Sequence, residues 1–298
     1  TRVNESGLIE PVGTLGADVV LNGDFEETGA DQVLNGDFSQ EGSEIIVNGD
    51  FATDSDWNKG IGWTISGGSA NSDGTNAPID QFSVTTVGKT YKVDVTVSNM
   101  TTASLSIRLG LASADTIGTI SSNGTYTFYG TVASDTTFRM RASNGFDGSI
   151  DNVSVVEVGQ NWDVVGDGNF SIVSGALNYS NTVNGTWFSQ YIKQDVSFVS
   201  GKDYKIQFRA RNISGNVGLR LTQDANVIST TNLTNSFVDY EVYYTANADN
   251  GSLRMFCNDA VGQFEITNIT VEEVGQEWNL SDGCSITAQG ARITSDGT

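Results

Sequence analysis

Internal repetition is the feature that most constrains this chain of 298 residues. The tetrapeptide Asn-Gly-Asp-Phe occurs at 22–25, 35–38 and 48–51, with a spacing of 13 residues. A longer unit also recurs, because residues 151–162, which end on Gly-Gln-Asn-Trp, correspond to 267–278, which end on Gly-Gln-Glu-Trp, 116 positions later. Similarity at a long and nearly constant period predicts one fold that is used more than once.

Within the long repeat, apolar and polar residues alternate along short segments such as 91–98 and 204–211. A period of two is typical of strands that bury one face and expose the other. Other short segments also correspond, among them Ile107-Arg108-Leu109 and Leu219-Arg220-Leu221. We therefore predict an all-β fold of tandem antiparallel β-sandwich (jelly-roll) modules, with an extended N-terminal β-repeat segment.

The repeats divide the chain into four parts. Residues 47–158 and 159–274 are predicted to form two complete modules, and 275–298 the start of a truncated third module that further chain or another chain completes. Residues 1–46 contain too few large apolar side chains for a core of their own. They are interpreted either as a docking or stalk segment, or as duplicated relics of the strand that opens the first module. In both cases Asn-Gly predicts a tight turn.

Composition excludes several classes of function. The chain has 36 acidic and 15 basic residues, a net charge of -21, which argues against binding to nucleic acid or to anionic lipid. No apolar run is long enough to insert into a membrane. The absence of histidine removes the commonest general base, and no motif singles out a catalytic carboxylate pair, so we predict no enzymatic activity. No disulfide is expected between Cys257 and Cys284.

Four elements of the first module carry a resemblance. They are Val-Asn-Gly-Asp-Phe at 47–51, the tryptophans Trp57 and Trp63, Gly-Lys-Thr-Tyr-Lys-Val at 88–93 and Ser-Ile-Asp-Asn-Val-Ser-Val at 149–155. Together they resemble the galactose-binding-like jelly roll, in particular the carbohydrate-binding modules related to families 4, 9 and 22. The second module shares the later elements but lacks the opening Asn-Gly-Asp-Phe strand.

The resemblance implies a structural Ca²⁺ ion between the opening and closing strands, where oxygen ligands from loops suit a hard cation. The matching positions are Asp50 and Asp151. Ala52 stands where that family has an acidic residue, and Thr267 replaces the aspartate in the second module. The alternative for Asp50 is a turn residue that accepts a hydrogen bond from its own backbone.

The resemblance also implies sugar binding, in which aromatic rings pack against pyranose faces and a few polar groups fix the hydroxyls. Arginines on exposed strand faces of so acidic a chain could in addition bind acidic polysaccharide in a bidentate manner. Arg108, Arg141 and Arg211 belong to this wider set. The alternative is that the arginines neutralise neighbouring acids and the aromatic residues are core. The candidate residues are Trp187, Tyr191, Arg209, Arg254, Tyr129 and Arg139.

The first ten residues, Thr-Arg-Val-Asn-Glu-Ser-Gly-Leu-Ile-Glu, resemble a segment of bacteriophage tail-fibre and other virion structural proteins, where it precedes lectin-like modules. This resemblance implies a virion-surface appendage, a tail fibre or head fibre, that attaches to host-surface glycans. Its partners would be other virion proteins and copies of itself, with a trimer expected by analogy. The alternatives are a decoration or spacer protein that binds no sugar, and a bacterial surface adhesin.

Overall fold

The computed structural model describes the backbone of residues 2–3, 9–10, 20–165, 169–181, 190–215, 218–257, 261–278, 284–288 and 290–293. Within these ranges the regular elements are antiparallel β-strands and one short 3-10 turn, Ser113–Asp115. The predicted all-β fold class is therefore confirmed. The described ranges contain no apolar helix of membrane-spanning length.

The strands are numbered along the chain. The N-terminal part contains β1 (Arg2–Val3), β2 (Ile9–Glu10) and β3 (Glu41–Glu44). The first module contains β4 (Asn58–Lys59), β5 (Trp63–Ser66), β6 (Ser69–Asp73), β7 (Pro78–Gln81), β8 (Thr90–Leu109), β9 (Thr116–Ile120), β10 (Gly124–Thr131) and β11 (Phe138–Val158).

The second module contains β12 (Asp163–Val165), β13 (Asn169–Val173), β14 (Ala176–Asn181), β15 (Tyr191–Asp195), β16 (Asp203–Gly215), β17 (Gly218–Gln223), β18 (Asn226–Asn232), β19 (Val238–Thr245), β20 (Ser252–Cys257) and β21 (Gly262–Val274). A hairpin of β22 (Cys284–Thr287) and β23 (Gly290–Ile293) follows.

Both modules have the same two layers. In the second module the back sheet has the order β13-β14-β21-β16-β19, and the front sheet has the order β12-β15-β20-β17-β18. In the first module the corresponding orders are β5-β6-β11-β8-β10 and β4-β7-β11-β8-β9. The long strands β8 and β11 run through both layers of the first module, and their register shifts between Ser143 and Asp147, near positive-φ residues Asn144 and Ala103.

The cores lie between these layers and follow from the alternation in the sequence. Val93, Val95 and Val97 of β8 are at most 1% exposed, whereas the residues between them face outward. Each module has its own apolar cluster. Burial of each large aliphatic or aromatic side chain stabilises the fold by about 1.5–3 kcal/mol.

The three Asn-Gly-Asp-Phe turns, at 22–25, 35–38 and 48–51, have one geometry. In each, the Phe amide donates to the Asn carbonyl oxygen at 3.1–3.2 Å. Each Phe ring packs on a tryptophan ring with centroids 5.0–5.3 Å apart, and the indole Nε1 of that tryptophan donates to the same Asn carbonyl at 2.9–3.0 Å. The partner is Trp278 for the first turn, Trp162 for the second and Trp57 for the third.

Each turn therefore belongs to a different module. Val33 and Phe38, beside and within the second turn, are buried in the core of the second module. A separate docking or stalk segment ending at residue 46 is thus wrong for residues 33–38, and these residues are not relics. The second module does have its Asn-Gly-Asp-Phe strand, which comes from a position more than 120 residues before Trp162. The first turn packs on Trp278, where the third module begins.

We call residues 20–51 the N-terminal strap. Residues 28–38 of the strap run antiparallel to the closing strand β21 of the second module, through Thr28 opposite Val274 and the Ile269 amide donating to the Gly36 carbonyl at 3.0 Å. Residues 41–49 then run antiparallel to β11 of the first module. Along the strap, the first turn packs on the start of the third module, the second turn on the second module and the third turn on the first module. The opening strands therefore follow the reverse order of the modules they complete.

A buried glutamine fixes the strap in each complete module. The Gln194 side chain bonds the amide and carbonyl of Leu34, at 2.6 and 2.8 Å. Gln81 bonds the amide and carbonyl of Val47 in the same way, at 3.2 and 2.6 Å. Each side-chain amide thus pairs with both the N–H and the C=O of one residue, as the backbone of a neighbouring β-strand would.

Successive units also meet through edge strands of the back sheets. β13 of the second module lies against β10 of the first, and β22 lies against β19 of the second. Asp203, 2% exposed, accepts a hydrogen bond from the Ile286 amide at 2.6 Å and so ties the following hairpin to the second module.

Glycine is required for space in the second and third turns. The Asn and Phe residues of each turn, rather than the glycine, have positive φ. A Cβ atom at Gly36 would lie 2.0 Å from the Ile269 carbonyl oxygen, and one at Gly49 would lie 2.0 Å from that of Val153. At Gly23 the nearest atom is a Val20 side-chain carbon at 3.3 Å.

We predict that Gly36→Ala destabilises the second module and Gly49→Ala the first, each by more than about 2 kcal/mol, because a strand carbonyl cannot move away from the added methyl group. Gly23→Ala is the matched control, since only a side chain has to yield. Hydrogen exchange would be measured separately in β11 and β21. An equal loss of protection in both strands for all three variants would contradict the assignment of one turn to each module.

The two cysteines differ in accessibility. Cys257 of β20 is fully buried, and burial raises the pKa of its thiol to about 12. Cys284 of β22 is half-exposed, and both thiols are free.

The reactive form of cysteine is the thiolate, so we expect a thiol reagent at pH 8 to modify one cysteine of the folded chain and two in denaturant. Cys284→Ser is expected to abolish the native reaction. Rapid labelling of that folded variant would show that the core around Cys257 opens.

Candidate functional site

The outer face of the front sheet brings polar and aromatic side chains together in the second module. On β20, Leu253, Met255 and Cys257 point into the core, so Arg254 and Phe256 alternate onto the opposite face. Neighbouring strands add residues to the same face and form a groove of about 190 Å³. Its lining includes Tyr191, Arg220, Thr222, Asp224, Arg254 and Phe256.

Arg254 organises this groove. Its guanidinium Nη2 donates to Asp224 Oδ1 at 2.9 Å, and its Cζ lies 4.9 Å from the centre of the Tyr191 ring. A cation over an aromatic face is attracted by the ring quadrupole. Arg254 Nε is buried and has no hydrogen-bond partner among the described residues. The groove thus combines aromatic surface with charged hydrogen-bonding groups.

The equivalent face of the first module is dominated by arginines. Arg139 of β11 makes two bonds to the buried Asp80 of β7, Nε to Oδ1 at 2.7 Å and Nη2 to Oδ2 at 2.9 Å. This hydrogen bond raises the pKa of Arg139. Arg108 of β8 lies directly opposite Arg139, and Arg141 lies two residues further along β11. Burial, and then the charges of Arg141 and Arg139, lower the pKa of Arg108.

The sequence-predicted sugar-binding residues do not form one site. The structure brings Tyr191 and Arg254 together, and it places Arg139 on the same face of the other module. Arg209 lies on the back sheet in β16, where its Nη1 is paired with Asp239 Oδ1 at 3.1 Å.

Two further candidates also lie elsewhere. Tyr129 of β10 is on the back sheet of the first module and packs against the core of the second, so it is a contact between modules. Trp187 lies outside the described residues.

Sequence reasoning missed both carboxylates of these faces. Asp80 and Asp224 stand among other acidic residues, and nothing in the sequence marks their pairing with arginines 59 and 30 positions away. The correspondence of Arg108 with Arg220 is also wrong by two residues. Arg108 is opposite Arg139, whereas Arg220 is opposite Phe256, so Thr222 takes the place of Arg108 in the second module.

The predicted calcium position contains few ligands. Asp50 Oδ1 accepts from the Ala52 amide at 3.3 Å, and Asp151 Oδ1 accepts from the Asn152 amide at 2.6 Å, so each carboxylate is hydrogen-bonded to a nearby backbone amide. In the second module the Thr267 hydroxyl lies 2.7 Å from the Gly175 carbonyl oxygen. The described residues contain no group of three or more acidic, cysteine or histidine side chains placed to hold a metal. This donor set does not fit a six- to eight-oxygen calcium site, and Ca²⁺ binding stays a prediction.

Comparisons with known proteins add no assignment. No family profile matches the chain, and no curated protein matches it. A solved structure described as "CBM4 structure and function" is 15% identical, with a TM-score of 0.32 over 38% of this chain and 86% of that one. The CBM22-1–CBM22-2 tandem domain of Paenibacillus barcinonensis Xyn10C is 13% identical, with a TM-score of 0.33 over 79% of this chain and 99% of that one. Scores this low assign neither a family nor a ligand.

We expect EDTA to leave the unfolding of the second module unchanged, because a hydroxyl there replaces the carboxylate of Asp151. If the first module does hold Ca²⁺ through Asp50 and Asp151, the ion would raise its unfolding temperature and Asp151→Asn would remove that increase. Calorimetry with and without 1 mM Ca²⁺, on the order of a physiological extracellular concentration, measures both. Stabilisation that persists in Asp151→Asn would place the ion elsewhere.

Proposed function

We propose that this chain is a glycan-binding segment of a bacteriophage virion appendage, a tail fibre or head fibre, and that its front sheets attach to host-surface polysaccharide. The groove of the second module is the observation that carries the proposal. There Tyr191, Phe256 and Arg254 lie side by side on an outward face rather than in the core. Aromatic surface with a few fixed polar groups is what a sugar ring requires.

The charged groups support a ligand role for this groove. An arginine held by Asp224 and by the Tyr191 ring has a fixed orientation, so it loses little conformational freedom when it donates to a sugar hydroxyl. Phe256 is only 4% exposed and therefore serves as the apolar floor of the groove. Tyr191 is more exposed and offers the aromatic edge.

The tandem arrangement suits weak, multivalent attachment. The strap and the contacts between edge strands hold the modules in a defined order, so several shallow sites are presented together. Linked sites raise the effective concentration for one another, and avidity then exceeds the affinity of each. A closed homo-oligomer, with a trimer as the expected form, would multiply the sites again.

The virion role is supported by the resemblance of residues 1–10 to virion structural proteins, and the partners would be other virion proteins. The strong acidity keeps such a surface from binding nucleic acid. A spacer or decoration protein without sugar binding is the second candidate, because the contacts of the strap with both modules would also serve a spacer. An adhesin on a bacterial surface would use the same face.

We expect the purified chain to bind a subset of glycans on an array and to bind intact host cells. Tyr191→Ala should weaken binding through the second module by about two- to twelvefold, given roughly 0.5–1.5 kcal/mol for a lost aromatic contact. Arg209→Ala, on the opposite sheet, is the control and should bind as the parent does. A folded chain that binds no glycan would rule out attachment and favour the spacer.

A further inference from the structure

We propose that the front sheet of the first module is a site for anionic polysaccharide, in which Arg108 and Arg141 bind carboxylate or sulfate groups of the sugar beside an Arg139 fixed by Asp80. This inference rests on the proposed function and adds the chemical class of the ligand. We call the three arginines the arginine cluster.

The first support is the local excess of positive charge. The whole chain has only 15 basic residues against 36 acidic ones, yet three arginines meet on one face. Asp80 is ion-paired with Arg139, and within the described part of the chain neither Arg108 nor Arg141 has an ion pair. Asp80 thus offsets the charge of Arg139, and Arg108 and Arg141 keep their charges without an ion pair.

Two other acids act on the cluster, and each accepts a hydrogen bond from the backbone. Asp115 Oδ2 accepts from the Ala112 amide at 2.8 Å, and Asp135 Oδ1 accepts from the Thr137 amide at 2.9 Å. Both carboxylates lie close enough to favour the charged form of an arginine. The charge of Asp115 acts to raise the pKa of Arg108, and that of Asp135 acts to raise the pKa of Arg139. They moderate the positive charge of the cluster without forming ion pairs with it.

The second support is the geometry of the strands. Residues directly opposite on antiparallel strands have Cβ atoms about 4.5–5.5 Å apart, and like charges at that separation destabilise a sheet. Arg108 and Arg139 are such a pair, and Arg141 is the next outward residue of β11. Because Asp80 offsets the charge of Arg139, the repulsion that remains is mainly between Arg108 and Arg141, and an anionic group bound between these two side chains would relieve it.

The third support is the hydrogen bonding of the guanidinium groups of Arg108 and Arg139. The Nε atom of Arg108 is buried and has no hydrogen-bond partner among the described residues. Arg139 is held rigid by its two bonds to Asp80, so its charge has a fixed place. Guanidinium groups recognise carboxylates and sulfates through paired N–H donors in a fork, which favours planar or multi-oxygen anions over neutral hydroxyls.

The second module provides an internal comparison. The position of Arg141 is taken there by Phe256 and that of Arg108 by Thr222, as the register of the sheet requires. Two cations of this face are ion-paired, since Arg254 is paired with Asp224 and Lys193 lies 3.6 Å from Asp195, and Arg220 Nε donates to the Thr230 hydroxyl at 3.3 Å. One fold therefore presents a cationic face in the first module and an aromatic face in the second.

The experiment uses the full chain and three probes, namely a polyuronate, a sulfated dextran and unmodified dextran, together with the neutral glycan found on the array. The double variant Arg108→Gln and Arg141→Gln removes the two unpaired charges and leaves the Arg139–Asp80 pair intact. We expect at least about tenfold weaker polyanion binding and unchanged binding of the neutral glycan, because hydrogen bonds to charged groups contribute roughly 1.5–3 kcal/mol each. Raised salt should weaken polyanion binding of the parent chain.

The double variant Arg209→Gln and Arg211→Gln is the matched control, since it removes two exposed cations from the back sheet. Unchanged polyanion binding by this control, together with loss in the double variant, supports the inference. Equal loss in both would show unspecific attraction and overturn it. The polyuronate and sulfated probes separate carboxylate from sulfate as the recognised group.

The remaining outcomes separate this inference from the proposed function. If the parent chain binds a neutral glycan but neither polyanion, the arginine cluster is not a ligand site and the proposed function stands. If a folded chain binds no sugar of any kind, both are overturned. Thermal unfolding of each variant establishes that the fold is retained; Arg141→Phe, which copies the second module, replaces Arg141→Gln if that change unfolds the chain.

Discussion

The contact between an Asn-Gly-Asp-Phe turn and a tryptophan is the interaction on which the organisation of this protein depends. The turn exposes one carbonyl oxygen, which accepts from both the Phe amide and the indole, and it packs the Phe ring against the indole ring in a tilted arrangement. The same pair of contacts occurs at Trp57, Trp162 and Trp278. Because the contact combines ring packing with a satisfied buried donor, it defines where an opening strand docks.

The reversed order of the opening strands has a consequence for folding. The second module closes only when Val33 and Phe38 meet strands near residue 270, so the whole first module lies between the two halves of one core. Loop closure over such a separation is slow compared with local pairing. In the folded chain the strap crosses the junction between the modules. The order of its turns therefore sets which module each opening strand completes.

The outer faces show how one fold is given different chemistry. The inward residues of both front sheets are aliphatic and aromatic side chains, so the alternation of apolar and polar residues is the same in the two modules. The outward residues are not constrained by the core, and here they differ: Arg108 and Arg141 in one module, Tyr191 and Phe256 in the other. Binding therefore follows from the exposed alternate positions of a few strands rather than from the fold itself.

The amino-acid sequence by itself determined the β-strands, the two-residue alternation and the repetition of the modules, because these depend on local pattern. It also indicated arginines and aromatic residues at exposed strand positions, and Tyr191 and Arg254 do meet. Only the tertiary structure decided which strand belongs to which core, that Arg209 and Tyr129 lie away from the front sheets, and that Asp80 and Asp224 hold the arginines. The physical reason is that strand partners and register arise from contacts between residues far apart in the chain, and local periodicity carries no information about those pairings.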